Sequence, residues 1–282
     1  HMTSTVFSLV LTAALLHAVW NSMTKSSGKP ELTIASYQLV GTIVCIPLAV
    51  WLPLPNTSCW PMIIGSVIIH NFYYFTLAQA YRSGDLSQVY PIFRGSAPIL
   101  VACGAAIFAE EHLSIATIIG ISFISLAIVS LAFRSTTFGQ MPPKALIWAV
   151  ITATLIASYT VIDGIGVRAS DNPLSYIVWL FILEVVPIGT ILLITKRPEW
   201  TKYFLENQWK IFAGGVASSL AYGMVIYAMG LGAMAIVSSL RETSVIFAAI
   251  IGVLWLREPF GVARIRAAMM IFVGILIIRW FG

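Results

Sequence analysis

The chain has 282 residues, of which 59% are apolar or aromatic and 10% are charged, and its net charge is +5. A soluble domain carries about a quarter of its residues as charged side chains, so this composition argues against a globule wetted by water on all sides. The basic residues lie in short segments beside apolar stretches and form no stripe, which argues against a nucleic-acid partner. The three cysteines lack the spacing of a disulfide framework or metal site, and no cofactor is expected.

A transmembrane helix needs about 20 mostly apolar residues, because every backbone polar group must be satisfied within the segment. The sequence contains ten such stretches, joined by short connections that carry turn formers and charges. They lie at residues 5–24, 32–52, 60–80, 86–108, 115–133, 145–165, 173–194, 209–229, 234–256 and 262–281. The predicted fold class is therefore an all-α integral membrane protein with ten transmembrane helices and no soluble domain.

The distribution of lysine and arginine predicts the orientation, because these residues are retained on the cytoplasmic side. One set of alternate connections holds Lys25, Lys29, Arg82, Arg134, Lys144, Lys196, Arg197, Lys202, Lys210, Arg257, Arg264 and Arg266. The opposite set holds only Arg168 and Arg279. We expect a multi-pass protein of the inner (plasma) membrane with both termini on the non-cytoplasmic side.

The two halves of the chain, residues 1–134 and 144–282, show an internal repeat. The matched residues, in sequence order, are Pro47 with Pro187, Arg94 with Arg241, and Glu111 with Glu258. Each half has five predicted helices, an odd number, so the second half enters the membrane inverted. Inverted repeats give two similar conformations open to opposite sides, which is the geometry of alternating access.

Several short stretches carry a resemblance to a known family. They are Leu-His-Ala-Val-Trp-Asn at 16–21, Leu-Ser-Gln-Val-Tyr-Pro at 86–91, Ala-Glu-Glu at 109–111, Ser-Ser-Leu-Arg-Glu at 238–242 and Leu-Trp-Leu-Arg-Glu at 254–258. With them the chain resembles the EamA family of the drug/metabolite transporter superfamily, which includes YddG-type amino acid exporters. The resemblance implies a carrier of amino acids, other metabolites or drugs. The first two stretches also resemble a subgroup associated with phosphonate use.

Ionisable side chains within the predicted spans are candidates for function, because burying them in hydrocarbon is costly. Arg94 lies about 12 Å into the fourth span at the helical rise, close to the midplane. It either binds a carboxylate or phosphonate group bidentately or pairs permanently with Glu242 or another acid. The same two interpretations apply to Arg241, which precedes Glu242.

Polar and aromatic residues also recur at helical spacing on one face of several spans, which predicts a shared aqueous cavity. Hydrogen bonds between helices and interfacial aromatic belts are the alternatives. The fifth and tenth spans carry little deep polarity, so we expect them to cover the outside or contact a second copy, which leaves monomer and homodimer open. The predicted substrate-binding residues are His17, Trp20, Asn21, His70, Tyr74, Tyr90, Arg94, Tyr159, Asp163, Tyr222, Ser238, Arg241 and Glu242.

Glu184 and His17 lie near the middle of their spans, where a carboxyl or imidazole could exchange a proton near neutral pH. Both are therefore candidates for proton coupling, and Glu184 is otherwise an acid that bonds a neighbouring helix.

The sequence thus predicts a secondary transporter that exports amino acids or related metabolites by alternating access. A phosphonate or a quaternary amine held by cation–π contacts is the alternative substrate, and a channel or membrane-embedded enzyme is a more distant alternative. We expect no enzyme, because no nucleophile–base pair or metal-ligand cluster is evident.

Overall fold

The computed structural model describes residues 3–84, 86–133, 141–256 and 262–282, and these are helical with no strand. In chain order the helices of these ranges are α1 (Ser4–Ser26), α2 (Pro30–Trp51), α3 (Trp60–Ser83), α4 (Leu86–Phe108), α5 (Ile115–Ser130), α6 (Pro143–Ala169), α7 (Pro173–Thr195), α8 (Arg197–Glu206), α9 (Gln208–Leu231), α10 (Met234–Arg241), α11 (Ser244–Leu256) and α12 (Val262–Phe281). Short 3₁₀ turns at Thr57–Cys59 and Leu131–Phe133 complete the described elements.

Helix starts follow from local side-chain chemistry. The Thr3 hydroxyl accepts a hydrogen bond from the backbone N–H of Val6 at the start of α1. Ser114 and Asn172 cap α5 and α7 in the same way. Proline occupies the first turn of α2, α3, α6, α7 and α8, where its missing N–H has no helical partner to lose.

Seven helices of the described ranges are long and apolar enough to cross a membrane: α1, α2, α4, α5 with the following turn, α6, α7 and α9. Helix α3 is long enough but carries His70 and Asn71 in its middle, and α11 has only 13 residues. The outward faces expose large apolar side chains, including Trp51 at 87%. Since water cannot solvate such a surface, the protein is a multi-pass membrane protein.

The helices pack in pairs that cross between the two halves of the chain. Helix α3 packs on α6 and α1 packs on α9, while α4 packs on α6 and α1 packs on α10 and α11. Helix α2 packs on α7, and α5 packs on α12. No half therefore buries its own core alone, and the interior lies where the two halves meet.

The predicted ninth span, 234–256, is not one helix as expected but is broken between α10 and α11 at Glu242 and Thr243. The backbone N–H groups of these two residues bond three residues back, to Ser239 and Leu240. The Thr243 hydroxyl also donates to the Leu240 carbonyl, at 2.7 Å. The sequence shows no break because neither proline nor glycine lies within several residues of Glu242 and Thr243. The turn accompanies the ion pairs that Glu242 makes inside the protein.

The segment 196–206, expected to be a loop, contains α8. Trp200 is 6% exposed, and its indole N–H donates to the Ser36 hydroxyl at 2.9 Å. The Tyr203 hydroxyl lies 2.7 Å from the Thr33 hydroxyl. The charged composition concealed the helix, which is amphipathic and covers the end of α2.

Polar contacts tie the connections together at both ends of the bundle. At one end Lys29 pairs with Glu199 at 3.3 Å, and Glu31 pairs with Arg82 and Lys196. The grouping of these three basic residues at one end agrees with the predicted loop set. Of the residues invoked in predicting orientation and the repeat, Arg134, Arg257 and Glu258 lie outside the described residues.

At the other end Arg168 donates to the carboxylate of Glu111 and to the carbonyls of Met229 and Gly232. The Glu111 carboxylate also accepts the backbone N–H of Met234 at 2.8 Å. These bonds hold the ends of α4, α6 and α9 together. Separately, the Arg279 guanidinium donates to the Ser4 hydroxyl at 3.0 Å, so the two ends of the described chain lie side by side.

Helices α5 and α12 approach closely through small residues. A Cβ atom at Gly120 would lie 2.8 Å from the carbonyl oxygen of Gly274, and one at Gly274 would lie 2.7 Å from that of Gly120. The opposite face of α5 exposes Ile115 and Leu126. Small residues at both crossing points let the backbones meet, as in other membrane helix pairs.

We expect Gly120→Ala to lower the thermal midpoint of the detergent-purified protein, because the added methyl group must push two backbones apart. Overpacking of this kind costs about 1–3 kcal/mol. Gly65→Ala is the matched control, since a Cβ atom there meets nothing within 4 Å. Equal midpoints for the two variants would show that α5 and α12 are not packed as described.

Candidate functional site

Two arginines and one glutamate form a buried cluster where α4 meets the break between α10 and α11. The Arg94 Nε atom lies 3.0 Å from Glu242 Oε2, and the Arg241 Nε atom lies 3.4 Å from Glu242 Oε1. All three side chains are at most 4% exposed. The Arg94–Glu242 pair joins the two halves of the chain. Such a pair was one of the two interpretations of Arg94 that the sequence allowed, the other being ligand binding.

Two further residues surround the Arg94 guanidinium. Its Nη2 atom lies 2.9 Å from His17 Nε2. A guanidinium can only donate, so His17 accepts at Nε2 and is uncharged in this arrangement. The Tyr90 ring lies 6.0 Å from the Arg94 Cζ atom, within cation–π range.

The cluster carries more positive than negative charge and retains unused hydrogen-bonding groups. Two guanidiniums face one carboxylate, which leaves one positive charge in excess. Among the described residues, buried Arg241 Nη2 has no hydrogen-bond partner, and neither do the hydroxyls of Ser238 and Ser244. Such groups are costly when unpaired, so the arrangement is suited to accepting an anionic group.

A second buried cluster centres on Asp163 of α6, which is fully buried. The Tyr176 hydroxyl donates to Asp163 Oδ1 at 2.9 Å, and the Tyr222 hydroxyl donates to Oδ2. Gly166 makes room for the Tyr176 ring, because a Cβ atom there would lie 2.6 Å from the Tyr176 hydroxyl oxygen. Asp163 is thus held by donors from α7 and α9.

Aromatic rings connect these clusters. The His70 ring stacks on Tyr159 at 3.9 Å between centroids, and Tyr159 meets the edge of Tyr222 at 5.9 Å. Tyr73 contacts Tyr159 at 5.7 Å and Tyr74 at 5.1 Å. Tyr159 lies within electrostatic range of Arg94, Arg241, Glu242 and Asp163.

A third polar group surrounds Glu184 of α7, which is 8% exposed. The Tyr74 hydroxyl and the Gln38 amide each donate to Glu184 Oε1 at 3.3 Å. The carboxyl therefore links α2, α3 and α7. These bonds match the predicted alternative, in which Glu184 is an acid that bonds neighbouring helices.

Most of the predicted site residues belong to these clusters, whereas Asn21 and Trp20 make other contacts. The Asn21 amide donates to the His17 carbonyl of its own helix at 2.7 Å, so that donor is used locally. Trp20 meets the edge of the His17 ring at 5.0 Å and also contacts Tyr37. Across the described ranges, no group of three or more His, Cys, Asp or Glu residues is placed to hold a metal ion.

The sequence did not indicate that Tyr73, Tyr176, Gln38 and Ser244 belong to these clusters. Tyr176 lies near the start of α7 and resembles an interfacial belt residue from sequence alone. A feature of the sequence that could have pointed to Tyr176 is Gly166. It lies three residues after Asp163 and is separated from α7 by a short turn. Ser244 became relevant only because the helix breaks just before it.

We expect Tyr176→Phe to lower the free energy of unfolding by about 1–3 kcal/mol, because buried Asp163 loses a donor that water cannot replace. The measurement is the thermal midpoint of the purified protein. Tyr227→Phe is the control, since Tyr227 is 37% exposed. A drop of the same size in the control would assign the effect to loss of a hydroxyl in general.

The comparisons with known proteins agree with this architecture. Residues 143–280, just under half of the chain, match the family model of the EamA-like transporter family. A solved structure described only as the crystal structure of a protein has a TM-score of 0.79 at 18% sequence identity. The alignment covers 98% of this chain and 96% of that chain, and at this identity it establishes the fold alone. No curated protein matches the sequence.

Proposed function

We propose that this protein is a secondary transporter that exports small metabolites bearing an acidic group, amino acids or related compounds, across the inner membrane by alternating access. The observation that carries the proposal is the buried pair Arg94 and Arg241 around one carboxylate, Glu242. Charged groups are retained inside a membrane protein chiefly where they serve a pathway or a ligand. The EamA-like domain at 143–280 supports the transport class.

We propose that residues 1–134 and 144–282 are two inverted five-helix repeats. The packing pattern supports this, if α1–α3 correspond to α6, α7 and α9, and α4 corresponds to α10 with α11. The contact of α3 with α6 then has its counterpart in that of α9 with α1, and α4 with α6 has its counterpart in α10 and α11 with α1. Equivalent contacts allow the same chain to close at either end, as alternating access requires.

We propose that both ends of the chain face away from the cytoplasm. The Ser4–Arg279 bond places the two ends together, and the basic residues around Glu31 gather at one end of the bundle. Positive charge is retained in the cytoplasm. The Glu111–Arg168 contact then lies at the non-cytoplasmic end.

We expect Arg241→Gln to reduce counterflow of an amino acid by about tenfold or more in proteoliposomes, since the guanidinium with its unpaired Nη2 atom is lost. Arg94→Gln should do the same. In the assay, unlabelled substrate outside drives labelled substrate out, which a channel does not do. Arg82→Gln, with its side chain 68% exposed, is the matched control.

A thermal-shift screen of amino acids, quaternary amines and phosphonates with the same variants identifies the substrate class. Stabilisation by an anionic ligand that disappears in both arginine variants supports the proposal. An unchanged shift would assign the arginines a purely structural role, and stabilisation by quaternary amines alone would favour binding at the tyrosine rings around Tyr159.

We propose that Glu184 couples export to protons, since its carboxyl joins three helices and accepts hydrogen bonds from two neutral donors, the Gln38 amide and the Tyr74 hydroxyl. An opposing proton gradient should accelerate efflux from wild-type proteoliposomes, and Glu184→Gln should retain counterflow while losing this response. Glu206→Gln is the control, because that carboxylate is exposed. Wild-type efflux that ignores the gradient would exclude coupling.

A further inference from the structure

The charge of the arginine cluster restricts what it can bind. Arg94 and Arg241 carry two positive charges and Glu242 carries one negative charge, and all three are buried. In a medium of low dielectric constant, uncompensated charge is far more costly than in water. A ligand group with a single negative charge would neutralise the cluster, whereas a doubly charged group would leave it negative.

The unused hydrogen-bonding groups show which atoms are available to bond such a ligand group. Arg241 is 2% exposed and its Nη2 atom has no partner in the described chain. Ser238 and Ser244 lie three residues to either side, both with buried hydroxyls that make no hydrogen bond within the described ranges. The Arg241 Nη2 atom and these two hydroxyls, which are close to it in sequence, are unused donors for a small oxyanion.

We propose that Glu242 is a specificity-determining residue that reserves this site for monoanionic groups, a carboxylate rather than a phosphonate. The inference rests on the proposed transport function and assigns the charge class of its substrate. Glu242 neutralises one of the two arginines and leaves a single positive charge for the ligand. Without the Glu242 charge, the same pair of arginines would match a dianion.

The test compares amino acids with their 1-aminoalkylphosphonate analogues, which share the amine and side chain but differ in acidic group. Alanine, leucine and phenylalanine, each with its analogue, are titrated against the purified full chain under mildly alkaline conditions, where the phosphonate is doubly ionised. Binding is followed by intrinsic tryptophan fluorescence and by thermal shift, so that affinity ratios are obtained for each variant.

We expect wild type to prefer carboxylates and Glu242→Gln to shift the carboxylate-to-phosphonate affinity ratio towards phosphonates by about tenfold or more. Arg94→Gln, with no net charge in the cluster, should bind neither class well. The double variant Arg94→Gln/Glu242→Gln restores one positive charge and should regain the carboxylate preference. A structural role for Glu242 predicts weaker binding of both classes, without inversion or rescue.

An unchanged affinity ratio in Glu242→Gln, or the absence of carboxylate binding to wild type, would overturn the inference. If Glu242→Gln does not fold, binding to Arg94→Gln is compared with binding to the double variant. If adding Glu242→Gln to Arg94→Gln does not restore carboxylate binding, the proposal is contradicted. Counterflow tests transport separately. Charge-dependent binding without counterflow refutes the transporter, whereas counterflow with an unaltered charge preference refutes only the role of Glu242.

Discussion

One carboxylate shared between two guanidiniums organises the interior of this protein. Glu242 lies at the break between α10 and α11, and its contact with Arg94 connects that break to α4. Burying an ion costs several kcal/mol even after relaxation, so removing Glu242 would leave two buried positive charges that neither water nor lipid can stabilise. The cluster therefore fixes how the two halves of the chain meet, while its excess positive charge leaves it incompletely satisfied.

The other polar clusters use a different chemistry at the same interface. Asp163 accepts hydroxyl donors from Tyr176 and Tyr222, and Glu184 accepts from Tyr74. Neutral donors hold these carboxyls without neutralising them, which makes such contacts easier to exchange than an ion pair. Tyrosine rings between the clusters pack against one another.

Polar contacts between the connections join distant segments at the two ends of the bundle. The Glu111–Arg168 contact at one end joins backbone groups of α9 and α10 to the end of α6, and Glu31 gathers basic residues at the other. Each tie crosses between segments distant in sequence. A carrier that opens alternately at its two ends must break and remake contacts of this kind, whereas the close approach of α5 and α12 at Gly120 is suited to staying intact.

The sequence alone determined the membrane-protein class, because too few charges and long apolar stretches have no stable arrangement in water. It also identified Arg94, Arg241 and Glu242 as costly residues, since burial cost depends on residue type and depth in a span. Tertiary structure alone decided that Glu242 faces both arginines, that the ninth span breaks there, and that Tyr176 reaches Asp163. Those outcomes depend on distances between helices far apart in the chain, which helical periodicity cannot encode.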